Sequence, residues 1–426
     1  MEEAHELAIF GLDPLWLATV IMIVTYGVII SERLNRSIIA LLGAMLMIMF
    51  GLLTQEQAVA SIDFNTIGLL VGMMITVSIT RKCGVFEYLA IRSAKLARAN
   101  PAGILAMLAV VTAVASAFLD NVTTVLLVVP VTLIITEALK VNPYPFLCSQ
   151  ILAANIGGTA TLIGDPPNIL IGGQVGLTFN DFVLNLAPVI VVILIVHLFS
   201  MHLIWGRGMS ATAELRARVM GFEEKKVITD HRLLKLSMSV LALVMIAFVL
   251  ARSLGLESGT IGMAGAALLL MLDNMGKSPE QQSKNVVKVY NEVEWITIFF
   301  FVGLFIVIAG VEHAGLLQLL ADKLLAATGG DFTVTGMTVL WSSAILSAIV
   351  DNIPFVATMV PLIKSMAPTF GGADALLPLW WALSLGACLG GNGTLIGASA
   401  NLTVAGIAER NGVLFGFMTF VKVAFP

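Results

Sequence analysis

Two short stretches of this chain place acids where apolar sequence surrounds them. The first, SAFLDNVTTVLLVVP, sets Ser116 four residues ahead of Asp120, with Asn121 directly after. The second, SAIVDNIPFVATMVP, repeats the pattern with Ser347, Asp351 and Asn352. Spacing of i, i+4 puts serine and aspartate on one helix face, one turn apart. An ionisable residue in the middle of an apolar segment is expensive to bury, and such residues mark ion or proton paths. Helix capping also favours Asp or Asn, but a cap needs one polar residue and each stretch holds three. A glycine-rich segment follows each stretch. NIGGTATLIGDPPN carries Asn155, Gly157, Gly158, Thr161, Gly164, Asp165 and Asn168, and LGGNGTLIGASAN carries Gly390, Gly391, Asn392, Thr394, Gly397 and Asn401. Neither ends in the Gly-Lys-Ser/Thr that would hold phosphate. Paired glycines allow close backbone approach, and Pro166-Pro167 stop a helix. A helix unwound here aims free amides and carbonyls at membrane depth, where exposed backbone is tolerated only around a cavity. The plainer reading is a kinked helix packed by small residues.

The elements that must position these residues lie in a membrane. Of 426 residues, 58% are hydrophobic and only 12% charged, with a mean hydropathy of +0.97. A soluble domain carries roughly a quarter charged residues, so this chain could not cover its own surface in water. Stretches long enough to cross about 30 Å of hydrocarbon run at 15–30, 37–53, 66–80, 181–204, 236–252, 258–272 and 295–312. Three more apolar regions, 101–139, 145–178 and 331–409, are broken by Asp, Asn, Gly and Pro. Residues 85–98 mix apolar and basic positions at helical spacing, which suits a helix lying in the interface. Met1 to Pro14 carries three glutamates and no Lys or Arg, unlike a signal peptide. No basic tract interleaved with aromatics points to nucleic acid. Cys83, Cys148 and Cys388 are too scattered for a disulfide framework and read as small buried apolar residues, and His197 and His202 read as interfacial residues near a helix end.

Charge orients the spans. With the N-terminus outside and 101–139 entering and leaving on one side, the inside receives 19 of the 23 Lys and Arg and the outside 4. An odd number of crossings there would put Arg207 to Lys235 outside, which the positive-inside rule rejects. The chain also repeats itself. Asp63-Phe64 matches Glu294-Trp295, Gly72 matches Gly303, Ser116 matches Ser347, and Asp120-Asn121 matches Asp351-Asn352, each pair 231 apart. After a two-residue insertion, Thr161 to Gly164 match Thr394 to Gly397, and Asn168 matches Asn401, at 233. By the charge count the first hairpin opens inward and the second outward, so the repeats are inverted, an architecture of secondary transporters with a midplane site. The fold class is therefore all-α and polytopic, with about 10–11 transmembrane helices and two re-entrant hairpins. Repeat one covers 1–205 (hairpin 101–139, broken helix 145–178), a cytoplasmic linker covers 206–235, and repeat two covers 236–426 (hairpin 331–366, broken helix 377–409).

FLDNVTTVLLVVPVT, NIGGTATLIGDPPNILI, DNIPFVATMVP and GACLGGNGTLIGASAN resemble signatures of the ion transporter superfamily, in the branch that holds the P protein and ArsB-like permeases. The likeness covers nearly the whole chain. It implies that hairpin tips and broken helices form the ion and substrate sites, here Ser116, Asp120, Asn121 and 161–168 with Ser347, Asp351, Asn352 and 394–401. It also implies elevator-type secondary transport, one domain sliding against a scaffold. Dicarboxylate carriers of the superfamily show Ser-Asn-Thr where this chain has Asp120-Asn121-Val122 and Asp351-Asn352-Ile353, which argues against a dicarboxylate.

Electrostatics narrows the cargo. The candidate site holds Asp120, Asp165 and Asp351 and, in sequence, no Lys or Arg. A dianion would meet like charge in a low-dielectric cavity, whereas a neutral polyhydroxy solute such as arsenous acid, or a cation, avoids it. Leaving water favours the protonated form of a carboxyl, so these acids are usable proton carriers. The expectation is arsenite or antimonite efflux across the plasma (inner) membrane, coupled to protons, with no cofactor and no enzymatic activity. The alternatives are a sodium–proton antiporter and a sodium-coupled anion or organic-acid transporter. Beyond the lipid bilayer and the solute, a cytoplasmic ATPase subunit and a homodimer stay open as partners. An intramembrane aspartyl protease has no need of a matched inverted repeat, and a passive channel would show flux without ion dependence. Finally, Phe179, Phe182 and Pro188 match Phe417, Phe420 and Pro426 at an offset of 238, and a long span follows only the first set. The repeat thus predicts a truncated chain lacking most of a final helix.

Overall fold

The computed structural model describes residues 12–31 and 33–426, so most of the acidic N-terminal segment lies outside the described residues. Repeat one contains α1 (Pro14–Ile30), α2 (Arg36–Met49), α3 (Gln55–Ala60), α4 (Phe64–Arg81), α5 (Val85–Leu96), α6 (Pro101–Phe118) and α7 (Asn121–Leu139). It continues through α8 (Tyr144–Thr159), α9 (Pro166–Val175), α10 (Phe179–Asn185) and α11 (Ala187–Ile204). The linker holds α12 (Ala213–Met220). Repeat two contains α13 (His231–Leu254), α14 (Ser258–Asn274), α15 (Pro279–Asn291), α16 (Trp295–His313), α17 (Leu316–Ala327), α18 (Phe332–Ile349) and α19 (Asn352–Lys364). The short α20 (Ala367–Phe370) leads to α21 (Leu377–Gly390), α22 (Ser399–Arg410) and α23 (Phe417–Ala424). Among the described residues, eight segments are long and apolar enough to cross a membrane, and α1, α2 and α19 are shorter apolar helices. On α11, Val191, Val192, Ile195, Val196 and Phe199 all point outward and are more than half exposed, an apolar face suited to lipid.

Two bodies result. In the first, α4 packs along α14 and α2 along α16, flanked by α1 and α13. Small residues let these helices touch: a Cβ on Gly72 would sit 2.4 Å from the Gly262 backbone, and one on Gly303 would sit 2.4 Å from that of Ala40. Close backbone approach through glycine is how membrane helices associate where hydrophobicity supplies no drive. In the second body, α6 packs on α8 and α18 on α21, while α7 meets α22 and α9 meets α19, crossing between repeats. The repeats run in opposite senses. Asp63 and Phe64 at the start of α4 share a cavity of about 630 Å³ with Glu312 near the end of α16 and Lys364 at the base of the second hairpin.

Three departures from the sequence reading have local causes. The span at 181–204 is two helices, because α10 ends at Asn185 with Leu186 as its C-cap and a new helix starts at Ala187 with Pro188 in its first turn. The linker stops earlier than 235: Asp230 caps Leu233 through its side chain (2.9 Å), so 231–235 is already α13. His197 is no interfacial residue. It is buried inside α11 with Nε2 3.0 Å from Ser149 Oγ on α8, while His202 is exposed in the last turn. The linker also clasps one side of the molecule. Glu224 pairs with Lys95 and, at 3.5 Å, with Arg92, and Thr229 donates to the carbonyls of Cys83 (3.2 Å) and Lys82 (2.8 Å). The Lys95 hydrogen bond holds the Glu224 carboxyl below its ordinary range.

Candidate functional site

Both hairpin tips turn at an aspartate, and both aspartates cap the returning helix. Thr123 N–H donates to Asp120 Oδ1 (2.8 Å), with Thr123 Oγ1 on Oδ2 (2.5 Å), and Ile353 N–H donates to Asp351 Oδ1 (3.1 Å). Capping is therefore real at both tips, but it uses one carboxylate oxygen of Asp351 and leaves the other for a different partner. Asp165 stands at the head of α9 and caps nothing. It is fully buried, Asn121 Nδ2 donates to its Oδ1 (3.2 Å), and its Oδ2 has no partner. The two tips meet: Asp120, Asn121, Asp165, Asn352 and Glu294 line one cavity of about 20 Å³, room for roughly one water molecule.

The broken helices are near-copies. Asp165 and Ala398, 233 apart, adopt the same extended backbone (φ −143°, ψ 134° and φ −151°, ψ 145°). Thr161 Oγ1 donates to the Ala117 carbonyl and Thr394 Oγ1 to that of Ala348, both at 2.5 Å. Asn168 Nδ2 donates to the carbonyls of Thr159 (3.1 Å) and Thr161 (2.9 Å), and Asn401 Nδ2 to those of Gly391 (2.7 Å) and Thr394 (2.9 Å). These bonds satisfy carbonyls that an unwound helix leaves free. Gly158 and Gly164 lie backbone to backbone, as do Gly391 and Gly397, so no side chain fits inside either break. The serines differ. Ser347 Oγ donates to the Ala387 carbonyl (2.6 Å), whereas Ser116 Oγ, equally buried, has no partner.

One asparagine joins the repeats. Asn155 Nδ2 donates to Asn392 Oδ1 (2.8 Å) and Asn401 Oδ1 (3.0 Å), and its own Oδ1 accepts from Asn121 (3.0 Å). Its mate at an offset of 233 is Cys388, which donates to Asn168 Oδ1 (3.5 Å) alongside Ser384 Oγ (2.5 Å). Cys388 is thus buried, as the sequence suggests, but it is a network member rather than an apolar filler. Asn155→Ala leaves buried amides of Asn121, Asn392 and Asn401 each short of a partner, at about 1–3 kcal/mol apiece. The expected result is a clear fall in the thermal unfolding midpoint of the purified protein, with Asn155→Gln falling less.

The sequence reading misplaced the positive charge. The site does hold a base: Arg36, first residue of α2, donates from Nη1 to Asp351 Oδ2 (2.9 Å) and Ser399 Oγ (2.8 Å). Its Nη2 donates to Thr297 Oγ1 (3.3 Å), and the guanidinium lies over the Phe300 ring, 5.1 Å from its centroid. Glu294, at the head of α16, accepts from Thr297 Oγ1 (3.2 Å) and faces both Asp120 and Arg36. Counting Glu294, four acids surround one arginine.

A protein-family profile described as a citrate transporter family, CitMHS, matches residues 26–386. The chain belongs to the CitMHS citrate transporter family. Among CitMHS relatives, the uncharacterized transporter Rv2684 of Mycobacterium tuberculosis is 41% identical over 409 residues, spanning 95% of this chain and 93% of that protein. The human P protein is 32% identical over 491 residues, 96% of this chain and 58% of its own length. Two solved structures share the CitMHS chain's fold: the Alcanivorax borkumensis YdaH transporter (TM-score 0.57, 12% identity, 96% of this chain and 94% of that one) and Neisseria gonorrhoeae MtrF (TM-score 0.58, 11% identity, 99% and 93%). This CitMHS member is thus a multi-pass membrane transporter.

Proposed function

We propose that this protein is a proton-coupled secondary transporter that exports a small neutral hydroxylated solute, arsenite or antimonite, from the cytoplasm across the plasma membrane. The observation that carries the reading is the charge of the tip cavity. Once Arg36 is paired with Asp351, Asp120, Asp165 and Glu294 have no base of their own. Such a cavity repels further anions and accepts protons. Arsenous acid presents three O–H donors and no charge, which suits a site made of carboxylate and amide oxygens. The basic face, with Arg81, Lys82 and the linker, is the cytoplasmic one on this reading. Transport proceeds by the hairpin body sliding against the α2–α16 and α4–α14 body. Supporting an efflux direction, MtrF is described as illuminating a class of antimetabolite efflux pumps.

A second reading rests on Arg36 and on the family's name. A guanidinium at the site could seat a carboxylate, and the cargo would then be a citrate-like organic acid entering with protons or sodium. Purified protein reconstituted into vesicles holding a pH-sensitive dye separates the readings. Arsenite or antimonite added opposite an imposed pH gradient is expected to move protons. Proton movement with citrate alone supports the second reading, movement with sodium alone an antiporter. No dye response to any of them overturns proton coupling.

A further inference from the structure

We infer that Arg36 is a tethered counter-ion that displaces the coupling proton from Asp351 whenever the second hairpin tip lies against α2. The inference deepens the proton-coupled reading and rests on it.

The side chain is built into one body and reaches into the other. Thr297 and Phe300, which seat the guanidinium, belong to α16, and α16 packs along α2. Asp351 and Ser399, which it grips, sit on the hairpin tip and at the head of α22. An arginine in the first turn of a helix faces the positive end of the helix dipole, so helix stability gives no reason for it. The first repeat shows what the arrangement is without an arginine. The counterparts of Asp351, Ser399 and Thr297 are Asp120, Pro166 and Thr66; there Thr66 Oγ1 donates to Asp63 Oδ2 (2.7 Å), as Thr297 Oγ1 does to Glu294, but no arginine donates to it, and Asp120 bonds within its own tip. Among the described residues, only the second tip is supplied with a fixed cation.

The groups facing Asp351 are Arg36 from α2 and Asp165 from the head of α9, with Glu294 from α16 and Asp120 from the first tip lining the adjoining cavity. Among these four, Arg36 alone is positive. Asp351 Oδ2 cannot bear a proton and accept from Nη1 at 2.9 Å in the same direction. As the tip arrives at α2, the guanidinium takes the oxygen, and the proton leaves to water in the adjoining cavity of about 300 Å³ that Arg36, Asp351 and Ser399 line. As the tip departs, Asp351 loses its cation among acids and takes a proton back. The arginine thereby makes release belong to one side of the membrane.

Infrared titration of the full-length protein tests this without needing the cargo. The protonated-carboxyl band of Asp351 is assigned by its disappearance in Asp351→Asn. In Arg36→Gln the band is expected to persist to higher pH than in the parent protein, because the guanidinium that competes with the proton for Oδ2 is gone, with Thr297→Val showing a smaller change in the same direction. Arg36→Lys keeps the charge and stays nearer the parent protein. An unchanged midpoint in Arg36→Gln overturns the inference; should that variant fail to fold, an unchanged midpoint in Thr297→Val does so. If the midpoint shifts but arsenite moves no protons in the parent protein, the inference about Arg36 stands and the functional reading falls.

Discussion

Asp120→Asn and Asp351→Asn each leave the protein folded and inserted while proton-coupled transport falls to background. Asparagine is as good an N-cap as aspartate, so the bonds from Thr123 N–H and Ile353 N–H survive. What disappears is the titratable charge. Vesicle assays with the pH dye check the loss, and thermal unfolding checks the fold. Full transport in both variants with an unchanged pH profile would remove these aspartates from coupling. Asp165→Asn acts differently. The mate of Asp165 is Ala398 on the same backbone, so the break needs no acid to form. Its loss is expected to move the pH optimum more than it weakens cargo binding.

Gly157→Ala removes folded protein from the membrane altogether. A Cβ there would lie 2.0 Å from the Ala113 carbonyl oxygen, and at the mate Gly390 it would lie 2.4 Å from that of Ala344. Both obstacles are backbone of a packed neighbouring helix, α6 or α18, which cannot swing aside as a side chain does. Forcing them apart costs about 3 kcal/mol or more, a large share of the roughly 5–15 kcal/mol that separates folded from unfolded states. Yield after size-exclusion chromatography and the unfolding midpoint are the measurements. Gly406→Ala, where nothing lies within 4 Å, is the control and should behave as the parent protein. Normal yield of Gly157→Ala would show that α6 and α8 are less tightly joined than described.

The tips and breaks were legible in the sequence because each polar group sits in apolar surroundings and recurs at a fixed offset. The structure pairs those same residues: Thr161 with Ala117, Thr394 with Ala348, Asn168 and Asn401 with the carbonyls of their own breaks. Arg36 was not legible as a site residue. Beside Arg33 and Asn35 it looks like an ordinary loop cation, and its partners are 261 to 363 residues away in sequence. The available signal was its place in the first turn of an apolar helix, the end where a cation is least welcome. Glu294 was visible only as the match of Asp63, since offset alone does not say that one faces both tips. Asn155 was legible as the first residue of its glycine-rich segment, but its mate is a cysteine, so the repeat gave no sign that it joins the two halves through Asn392 and Asn401. His197 misled because period and hydropathy cannot distinguish a lipid-facing position from one turned toward Ser149.

The division of charge between the two bodies gives the cycle an electrical character. Asp120, Asp165 and Asp351 ride on the hairpin body, while Arg36 and Glu294 stay with the other. In the sliding motion proposed here, each of the three acids that is ionised is carried through part of the membrane field. A full crossing is worth about 2.3 kcal/mol per elementary charge at 100 mV. With the inside negative, that field drives the deprotonated body outward, to the side where protons are taken up. Once protonated, the same body carries little charge and returns indifferent to voltage. Membrane potential and proton gradient thus push on opposite strokes of one machine.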